Sequence, residues 1–512
     1  MSYSEFLGQM GTVNDLLSSA SLLSWDARTM MPSGAVEVRG QQIATLMTLA
    51  RTTLLSDETL RLLEKAERST RDLAEDSAER RALEQTRYAI EMHKRIPAAL
   101  QAERVAVREV SRAAWAKARA EDRFEDFAPY LEKVVNIARQ VADAIGYEAH
   151  PYDALLSLFE PGETVVSLNK LFGRLREAML PVLRAIQQKP QLRWDFLERD
   201  YPEQQQRDFG LQMAEVFGYD LRRGRLDTTI HPFEISFTRE DVRITTRYKR
   251  NYLPASLFGT LHEAGHALYE QGVDPAYTRT PLATDMPGMY AVGGVSYGAH
   301  ESQSRLWENH IGRSKAFWDL HYPALKAHFP DQLSDIDVSA FHRAVNRVEP
   351  GLIRVEADEL TYDFHIIFRT EIERDLIDGS LKVKDLPERW NAEVKKDLGL
   401  DVPNNRLGVL QDTHWSTGQI GTFCNYTIGN VMAAQLYKTA VTVDSNIEPA
   451  LSEGNYAPLR HWLQQEIYQH GRRFSRDELL VKSTGRTLDP EPYIEYLTGK
   501  YTSLYELGAL KP

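Results

Sequence analysis

The sequence predicts a mainly α-helical fold that contains one small β-hairpin. Apolar side chains in residues 131–146, LEKVVNIARQVADAIG, recur close to every 3.6 residues, which is the period of an α-helix. Residues 59–96 are rich in Leu, Ala, Glu and Arg, and their charges indicate solvated helix faces rather than a binding patch. Residues 231–248, HPFEISFTREDVRITTRY, instead alternate on both sides of the polar turn TRED, which is typical of a hairpin.

Composition and charge restrict the classes of function. The chain has 512 residues, of which 42% are hydrophobic and 26% charged, and these values are typical of a globular protein with a substantial core. The net charge of −12 argues against broad binding to nucleic acid or to anionic membranes, because both need a basic surface. No repeat or low-complexity linker marks a boundary, so we expect a single domain over residues 1–512.

Cysteine usage and hydropathy indicate where the protein works. The single cysteine, Cys424, excludes an internal disulfide, which suits a reducing cytosol. The N-terminal stretch MSYSEFLGQMGTVNDLL lacks the basic and apolar regions of a signal peptide. The longest uncharged run, Thr413–Tyr437, contains polar groups that would lack water inside a bilayer. We therefore expect a cytoplasmic protein without a membrane span.

The stretch LHEAGHALYEQG, residues 261–272, carries the clearest chemical pattern. His262 and His266 are four residues apart on a predicted helix, so they lie one turn of about 5.4 Å apart on one face and can reach a single ion. Glu263 is offset by one position and can reach a water molecule without ligating the ion. This is the H-E-x-x-H arrangement of zinc hydrolases. The alternative is an ordinary helix with two exposed histidines.

A third ligand is expected from another segment. Glu270 lies four positions beyond His266, but three successive helical turns converge poorly on one ion. Residues 300–312, HESQSRLWENHIG, offer His300 and Glu301, which are adjacent and therefore lie on different faces, so we expect one of them to ligate. The other polar candidates of this stretch are expected to be surface or packing residues: Glu308 and His310.

Several motifs of the sequence resemble those of a known family. HEAGH followed by HESQSR is similar to the motifs of the carboxypeptidase Taq family, the thermostable carboxypeptidase 1 type of metallopeptidase. The N-terminal stretch SWDARTMMP, residues 24–32, also resembles the opening of that family. Four further motifs match in order, namely HPF at 231–233, DxRxT at 241–245, IRxxAD at 353–358 and GxxQDxHW at 408–415. The resemblance extends from about residue 24 to about residue 437 and so covers nearly the whole chain.

The resemblance implies a fold and an activity. The fold is a mainly α, two-lobed helical metallopeptidase with a deep active-site cleft and a small hairpin or sheet beside the site. Its helical N-terminal part, about residues 1–150, is expected to cover the cleft. The activity is that of a metallocarboxypeptidase of broad specificity, which releases single C-terminal amino acids other than proline from peptides with a free C-terminus. The family implies one Zn²⁺ per chain, which Co²⁺ can replace, and a homodimer.

The resemblance also implies roles for individual residues. It implies three metal ligands: His262, His266 and Glu301. Glu263 is expected to act as general base, taking a proton from the attacking water and passing it to the leaving amine. Two residues are candidate hydrogen-bond donors to the oxyanion of the tetrahedral intermediate: Tyr426 and His231. The alternative for Tyr426 is a core tyrosine.

Recognition of the substrate carboxylate requires a different group. A planar guanidinium binds a carboxylate through two parallel hydrogen bonds, and Arg354 is the candidate that matches the family. Arg243 is the second candidate, with orientation of its neighbours as the alternative role. Three more residues are expected around the site, with a structural role as open as a catalytic one: Gln411, Asp412 and His414.

Two segments depart from the family pattern. Residues 284–294, TDMPGMYAVGG, look like an insertion, and their glycines suggest a flexible loop near the site. Thr422 and Cys424 stand where the family usually has Tyr and Pro. We expect these changes to affect substrate preference more than chemistry, and we expect Cys424 to be a small packing residue rather than a nucleophile.

Two other functions stay open on the sequence alone. A related helical oligoendopeptidase would share the metal motif and cut internal bonds, but Arg354 and the HPF, DxRxT and GxxQDxHW motifs argue against it. A non-catalytic peptide-binding scaffold would retain only the fold, and the intact Glu263 argues against that reading.

Overall fold

The computed structural model describes residues 2–508 and is mainly helical, as predicted, with 66% of the chain in helices. In chain order the α-helices are α1 (Ser2–Thr29), α2 (Val36–Leu54), α3 (Asp57–Thr70), α4 (Ala78–Arg95), α5 (Ala98–Glu121), α6 (Phe124–Ile145), α7 (Pro151–Leu156), α8 (Val165–Ile186), α9 (Glu203–Phe217), α10 (Leu253–Gly272), α11 (Tyr297–Arg305), α12 (Lys315–His328), α13 (Val338–Val345), α14 (Tyr362–Asp378), α15 (Leu386–Leu398), α16 (Cys424–Val443), α17 (Ile447–Ser452), α18 (Ala457–Glu466), α19 (Arg476–Thr484) and α20 (Glu491–Leu504).

The chain divides into two compact units. The first contains residues 1–93, 192–345 and 429–489, and the second contains residues 94–191, 346–428 and 490–512. None of the helices in residues 2–508 combines the length and the apolar character that a membrane span requires. The expectations of one metallopeptidase domain, a deep cleft and an N-terminal cover over it stay predictions.

The predicted hairpin is confirmed, and the structure extends it to a three-stranded sheet. Strands β2 (Glu234–Thr238) and β3 (Asp241–Thr246) are antiparallel neighbours, and β1 (Gly224–Thr228) pairs with β3 in parallel, so the order is β1-β3-β2. The sequence GRLDT of β1 has a single large apolar residue, Leu226, and therefore lacks the alternation that marks a strand.

Helix α10 occupies the interior of the first unit. It packs against α9, α11 and β3, and most of its residues are buried, while the face that carries His262 and His266 is half-buried. His262 and His266 are therefore not the exposed side chains of an ordinary surface helix. Pro254 lies in the first turn, where a proline fits a helix, and the helix ends at Gly272.

Candidate functional site

The first unit brings the three predicted metal ligands together. The Nε2 atoms of His262 and His266 on α10 lie 3.5 and 3.2 Å from Oε2 of Glu301 on α11. One ligand atom from each residue lies within 4.8 Å of the other two. Two imidazole nitrogens and one carboxylate oxygen are the donor set of many catalytic zinc sites, so the residues present fit a zinc ion.

Two glycines allow this approach of α10, α11 and α16. A Cβ atom on Gly265, inside the HEAGH motif, would lie 2.5 Å from the carbonyl oxygen of Gln303 and 2.7 Å from Cα of Ser304. A Cβ atom on Gly429 would lie 2.5 Å from Cγ of Glu301. A side chain at either position would therefore displace the segment that carries Glu301.

The Glu301 carboxylate is held in its ionised form. Arg305 Nε donates to Oε1 at 2.7 Å, and Ser304 Oγ donates to Oε2 at 3.0 Å. Burial opposes ionisation, but Arg305 and the two histidines outweigh it and hold the pKa of Glu301 well below its ordinary value. Because Arg305 engages Oε1, the other oxygen faces His262 and His266.

Glu308 was expected to be a surface or packing residue, and this expectation is wrong. It is buried, and its Oε2 accepts a hydrogen bond from His262 Nδ1 at 3.0 Å. Its Oε1 accepts from Arg313 Nη2 at 3.0 Å. Residues Leu306–Ile311 form a π-helix, a rare conformation that often occurs at functional sites, and Glu308 lies within it.

A second set of contacts lies behind His266. Its Nδ1 atom is 2.6 Å from Nδ1 of His300, and Nε2 of His300 is 2.9 Å from Oε1 of Glu270. Of the adjacent pair His300 and Glu301, only the glutamate belongs to the three-residue cluster of candidate ligands among the described residues. His300 and Glu270 instead contact the site from outside.

Glu263 lies in a setting that suits a proton acceptor. Its side chain is buried on α10, next to the His262 ligand position. Burial raises the pKa of Glu263 to about 7, and Glu301 contributes to the rise while His262 and Arg28 oppose it. A general base is most effective when its pKa is close to the working pH.

The two predicted residues of the sheet region differ in their surroundings. His231 is exposed and precedes β2. Arg243 on β3 donates through Nε and Nη2 to the two carboxylate oxygens of Asp241, at 2.8 Å each, and its guanidinium lies 4.4 Å from the ring centre of Trp25. The DxRxT motif therefore contains an arginine that is both paired with a carboxylate and stacked on an aromatic ring.

The second unit holds a buried polar cluster around Arg354. Its Nε and Nη2 donate to Oδ1 of Asp412 at 3.0 and 2.9 Å, and its Nη1 donates to Tyr362 Oη at 3.1 Å. Arg369, which sequence reasoning missed, donates through Nε to Oδ2 of the same aspartate at 2.7 Å. Gln411 Oε1 accepts from Arg354 N and from Arg369 Nη2, so it orients both arginines.

His414 and Tyr426 are neighbours in the same unit. His414 Nε2 lies 3.4 Å from Tyr426 Oη, and the guanidinium of Arg354 lies 5.2 Å from the centre of the tyrosine ring. Burial lowers the pKa of His414 to about 3, and Arg354 adds to that effect, so this histidine is neutral at neutral pH. Five predicted residues are therefore part of one connected cluster: Arg354, Gln411, Asp412, His414 and Tyr426.

A buried glutamate that sequence reasoning also missed anchors the segment after His414. Glu373 on α14 accepts hydrogen bonds from Tyr152 Oη at 2.6 Å, Trp415 Nε1 at 2.8 Å and Gly421 N at 2.8 Å. Most residues of α14 are buried, so its pattern of residues gave no signal for a functional face. Cys424 is buried as expected of a packing residue.

Residues 284–294, whose glycines predict a flexible loop near the site, pack partly into the first unit. Met286 and Met289 lie in a hydrophobic core that also contains Phe6 and Met10 of α1 and Leu63 of α3. The carbonyl oxygen of Met286 is 2.9 Å from His93 Nε2, which ties the segment to α4. The apolar side chains of the two methionines fill part of this core, and the glycines of the segment did not predict that packing.

Comparison with known proteins gives similarity over the full length. The sequence profile described as Carboxypeptidase Taq (M32) metallopeptidase matches residues 5–501. The chain is 37% identical over 506 residues to carboxypeptidase 1 of Bacillus subtilis, covering 98% of each chain. It is 38% identical over 503 residues to thermostable carboxypeptidase 1 of Thermus thermophilus, covering 96% of each. The solved M32 carboxypeptidase from Deinococcus radiodurans R1 has a TM-score of 0.94 and 39% identity, over 99% of this chain and 100% of that one.

Proposed function

The chain belongs to the carboxypeptidase Taq (M32) metallopeptidase family, as its motifs predicted, and from this premise we propose a zinc-dependent carboxypeptidase that releases single C-terminal amino acids other than proline from peptides. The observation that carries the proposal is the cluster of His262, His266 and Glu301, whose ligand atoms lie within 4.8 Å of one another. The cluster offers nitrogen and oxygen donors in the number that a catalytic zinc site uses, so we propose one Zn²⁺ per chain, which Co²⁺ can replace.

Glu263 would act on a water molecule beside a metal ion that His262, His266 and Glu301 would hold. A bound Zn²⁺ supplies a Lewis acid that polarises a carbonyl and lowers the pKa of water to about 7. Glu263 takes the proton from the attacking water and later delivers it to the leaving amine. Its raised pKa supports both steps, because a group with a pKa of about 7 accepts and releases a proton near neutral pH.

Donors to the developing oxyanion come from Tyr426 and His231 in this proposal. Tyr426 Oη lies 3.4 Å from His414 Nε2, and a neutral histidine there can accept the tyrosine hydrogen or donate its own. This contact gives Tyr426 a defined orientation, which a donor to a transition state needs. His231 is exposed and thus accessible to a substrate.

Arg354 binds the substrate carboxylate in this proposal, and the charge of its surroundings supports the assignment. Arg354 and Arg369 share the single carboxylate of Asp412, while His414 is neutral, so this buried group carries one net positive charge. Three of the five guanidinium N–H groups of Arg354 donate to Asp412 and Tyr362 within the described part of the chain. The other two can bind an anion.

A time course on one peptide tests the function. A peptide with a free C-terminus is incubated with the full chain, and mass spectrometry follows the products with and without a zinc chelator. We expect a ladder of products shortened one residue at a time from the C-terminus, and no products after chelation. Internal fragments would instead favour the oligoendopeptidase alternative, and a stable peptide would favour a non-catalytic scaffold.

Assembly and location complete the proposal. We propose a cytoplasmic homodimer that acts on peptides and not on nucleic acid or membranes, on the basis of family membership, the net charge of −12 and a single cysteine. Light scattering of the purified chain gives its mass in solution. A mass of one chain, 58.4 kDa, would contradict the homodimer.

A further inference from the structure

The two histidines of the metal cluster are supported by different chemical groups. His262 Nδ1 donates to Glu308, a carboxylate that also accepts from Arg313. Within residues 2–508, His266 Nδ1 meets no carboxylate and instead lies 2.6 Å from another imidazole nitrogen, Nδ1 of His300. The ring centres of His266 and His300 are 4.7 Å apart and their planes are inclined by 24°. The two rings therefore meet edge to edge, as an in-plane N–H···N hydrogen bond requires.

The positions of the hydrogens follow from this geometry. A ligand nitrogen needs a free lone pair, so an ion held by His266 Nε2 places the ring hydrogen of His266 on Nδ1. That hydrogen is donated to Nδ1 of His300, which accepts it and must then carry its own hydrogen on Nε2. His300 Nε2 lies 2.9 Å from Oε1 of Glu270 and donates to it. One arrangement of hydrogens thus satisfies every contact in the series.

We propose that His300 is a positioning residue, which together with Glu270 fixes the orientation and the tautomer of His266 for metal binding. The inference rests on the proposed function, because it assumes an ion on His266 Nε2. It assigns the HEAGHALYE segment a fourth working residue beside His262, Glu263 and His266, because Glu270, one turn beyond His266 on α10, contacts His300.

The contacts of His300 exclude the competing role of a direct ligand. Both of its ring nitrogens are already engaged, Nδ1 by His266 and Nε2 by Glu270. A ligand role would break both contacts and leave the buried carboxylate of Glu270 without this donor, which is costly in a buried position. The adjacent Glu301 occupies the face of α11 that meets His262 and His266.

The experiment measures metal affinity on the full chain. The dissociation constant for Zn²⁺ is determined by competition with a chelator for the wild type, His300→Ala and Glu270→Gln, and the visible absorption spectrum is recorded for the Co²⁺-loaded proteins. Loss of an outer contact of a ligating histidine typically weakens metal binding 10–100-fold. We expect roughly that loss for His300→Ala, with a changed Co²⁺ spectrum, and a smaller loss for Glu270→Gln, which keeps an acceptor oxygen.

His321→Ala is the matched control. His321 belongs to the same unit, and its Nε2 lies 2.9 Å from Tyr456 Oη, so the substitution removes an imidazole and one hydrogen bond outside the metal cluster. We expect it to change the unfolding temperature without changing the Co²⁺ spectrum. Equal losses of Zn²⁺ affinity in His321→Ala and His300→Ala would show that general destabilisation of the fold weakens metal binding, and this would overturn the proposal.

Several results of these measurements would contradict the positioning role of His300. A folded His300→Ala variant with the affinity of the wild type would overturn the positioning role, and complete loss of the ion would make His300 a ligand instead. If His300→Ala does not fold, the near-isosteric Glu270→Gln variant tests the proposal instead. An unchanged Zn²⁺ affinity and Co²⁺ spectrum in that variant would refute the proposed role of the His266–His300–Glu270 contacts. A wild type that binds no Zn²⁺ would contradict the proposed function itself, so the two failures are distinguishable.

Discussion

Amidation of the peptide C-terminus removes the negatively charged carboxylate that, in our proposal, Arg354 binds. Arg354 is 6% exposed, and its guanidinium shares Asp412 with Arg369. An amide would therefore leave two buried N–H groups of a cation without their anionic partner. Hydrogen bonds to charged groups contribute about 1.5–3 kcal/mol each, and a buried unpaired partner costs a similar amount. A loss of about 3 kcal/mol in the transition state corresponds to roughly 10²-fold in kcat/KM.

The assay compares one peptide as free acid and as amide. The wild type is expected to prefer the acid by roughly 10²-fold in kcat/KM. Arg354→Met keeps the length of the side chain without its charge, and it should abolish most of this preference by slowing hydrolysis of the acid. Arg243→Met is the control, because Arg243 is already paired with Asp241 and should leave the ratio unchanged.

Equal rates for the acid and the amide on the wild type would refute the carboxypeptidase mechanism and favour cleavage of internal bonds. A ratio that persists in Arg354→Met but falls in Arg243→Met would move carboxylate recognition to the sheet of the first unit. Loss of activity on both peptides in Arg354→Met, with the acid preference unchanged, would make Arg354 a structural residue.

Three further predictions test the base, the acid stability and the inserted segment. Glu263→Gln should retain the metal while turnover falls by about 10²–10⁴-fold, and near-normal turnover at full metal content would refute the base role. His414 is neutral in the folded protein but charged in the unfolded chain below its ordinary pKa of 6.5, so acid favours unfolding as pH falls from 6.5 toward 3. In His414→Gln the unfolding temperature should therefore fall less steeply over that range, and parallel curves would contradict this assignment. Met286→Ala should lower the unfolding temperature, because truncation of a buried methionine costs about 2–5 kcal/mol, whereas Met30→Ala, at a side chain that is 55% exposed, should not.

The elements with a strong local period were predictable from the sequence. The segment 131–146 lies within α6, and residues 231–248 contain both strands of the hairpin. The helical stretch 59–96 is interrupted at 71–77, where Ser77 Oγ accepts from Arg80 N at the start of α4. Such a cap is a short local signal inside a charged helical sequence, and periodicity alone does not detect it.

The candidate ligands were predictable for a similar reason, since a spacing of four residues on one helix fixes two side chains on one face. The contacts that other segments make with these ligands and with Asp412 were not predictable from the sequence. Glu308 reaches His262 across 46 positions of sequence, and Arg369 meets Asp412 across 43. The first pairing depends on how α10 packs against the π-helix Leu306–Ile311, and the second on how α14 meets the segment that carries Asp412. An acidic or basic residue in a helix usually indicates only a solvated face. Burial, which the sequence does not display, separates these residues from ordinary surface charges.

Gly265 links the packing of the helices to the metal cluster, and its replacement tests that link. A Cβ atom there would lie 2.5 Å from the backbone of α11, so Gly265→Ala must displace the helix that carries Glu301. Overpacking of this kind costs about 1–3 kcal/mol, and we expect weaker Zn²⁺ binding together with a lower unfolding temperature. Gly259 is the control on the same helix, because its added Cβ meets only Thr246 Oγ1 at 3.8 Å. Gly259→Ala should raise stability, since alanine favours a helix over glycine by up to about 1 kcal/mol, and should keep the metal affinity. If Gly265→Ala binds Zn²⁺ as tightly as Gly259→Ala, the close approach of α10 and α11 does not determine the position of Glu301.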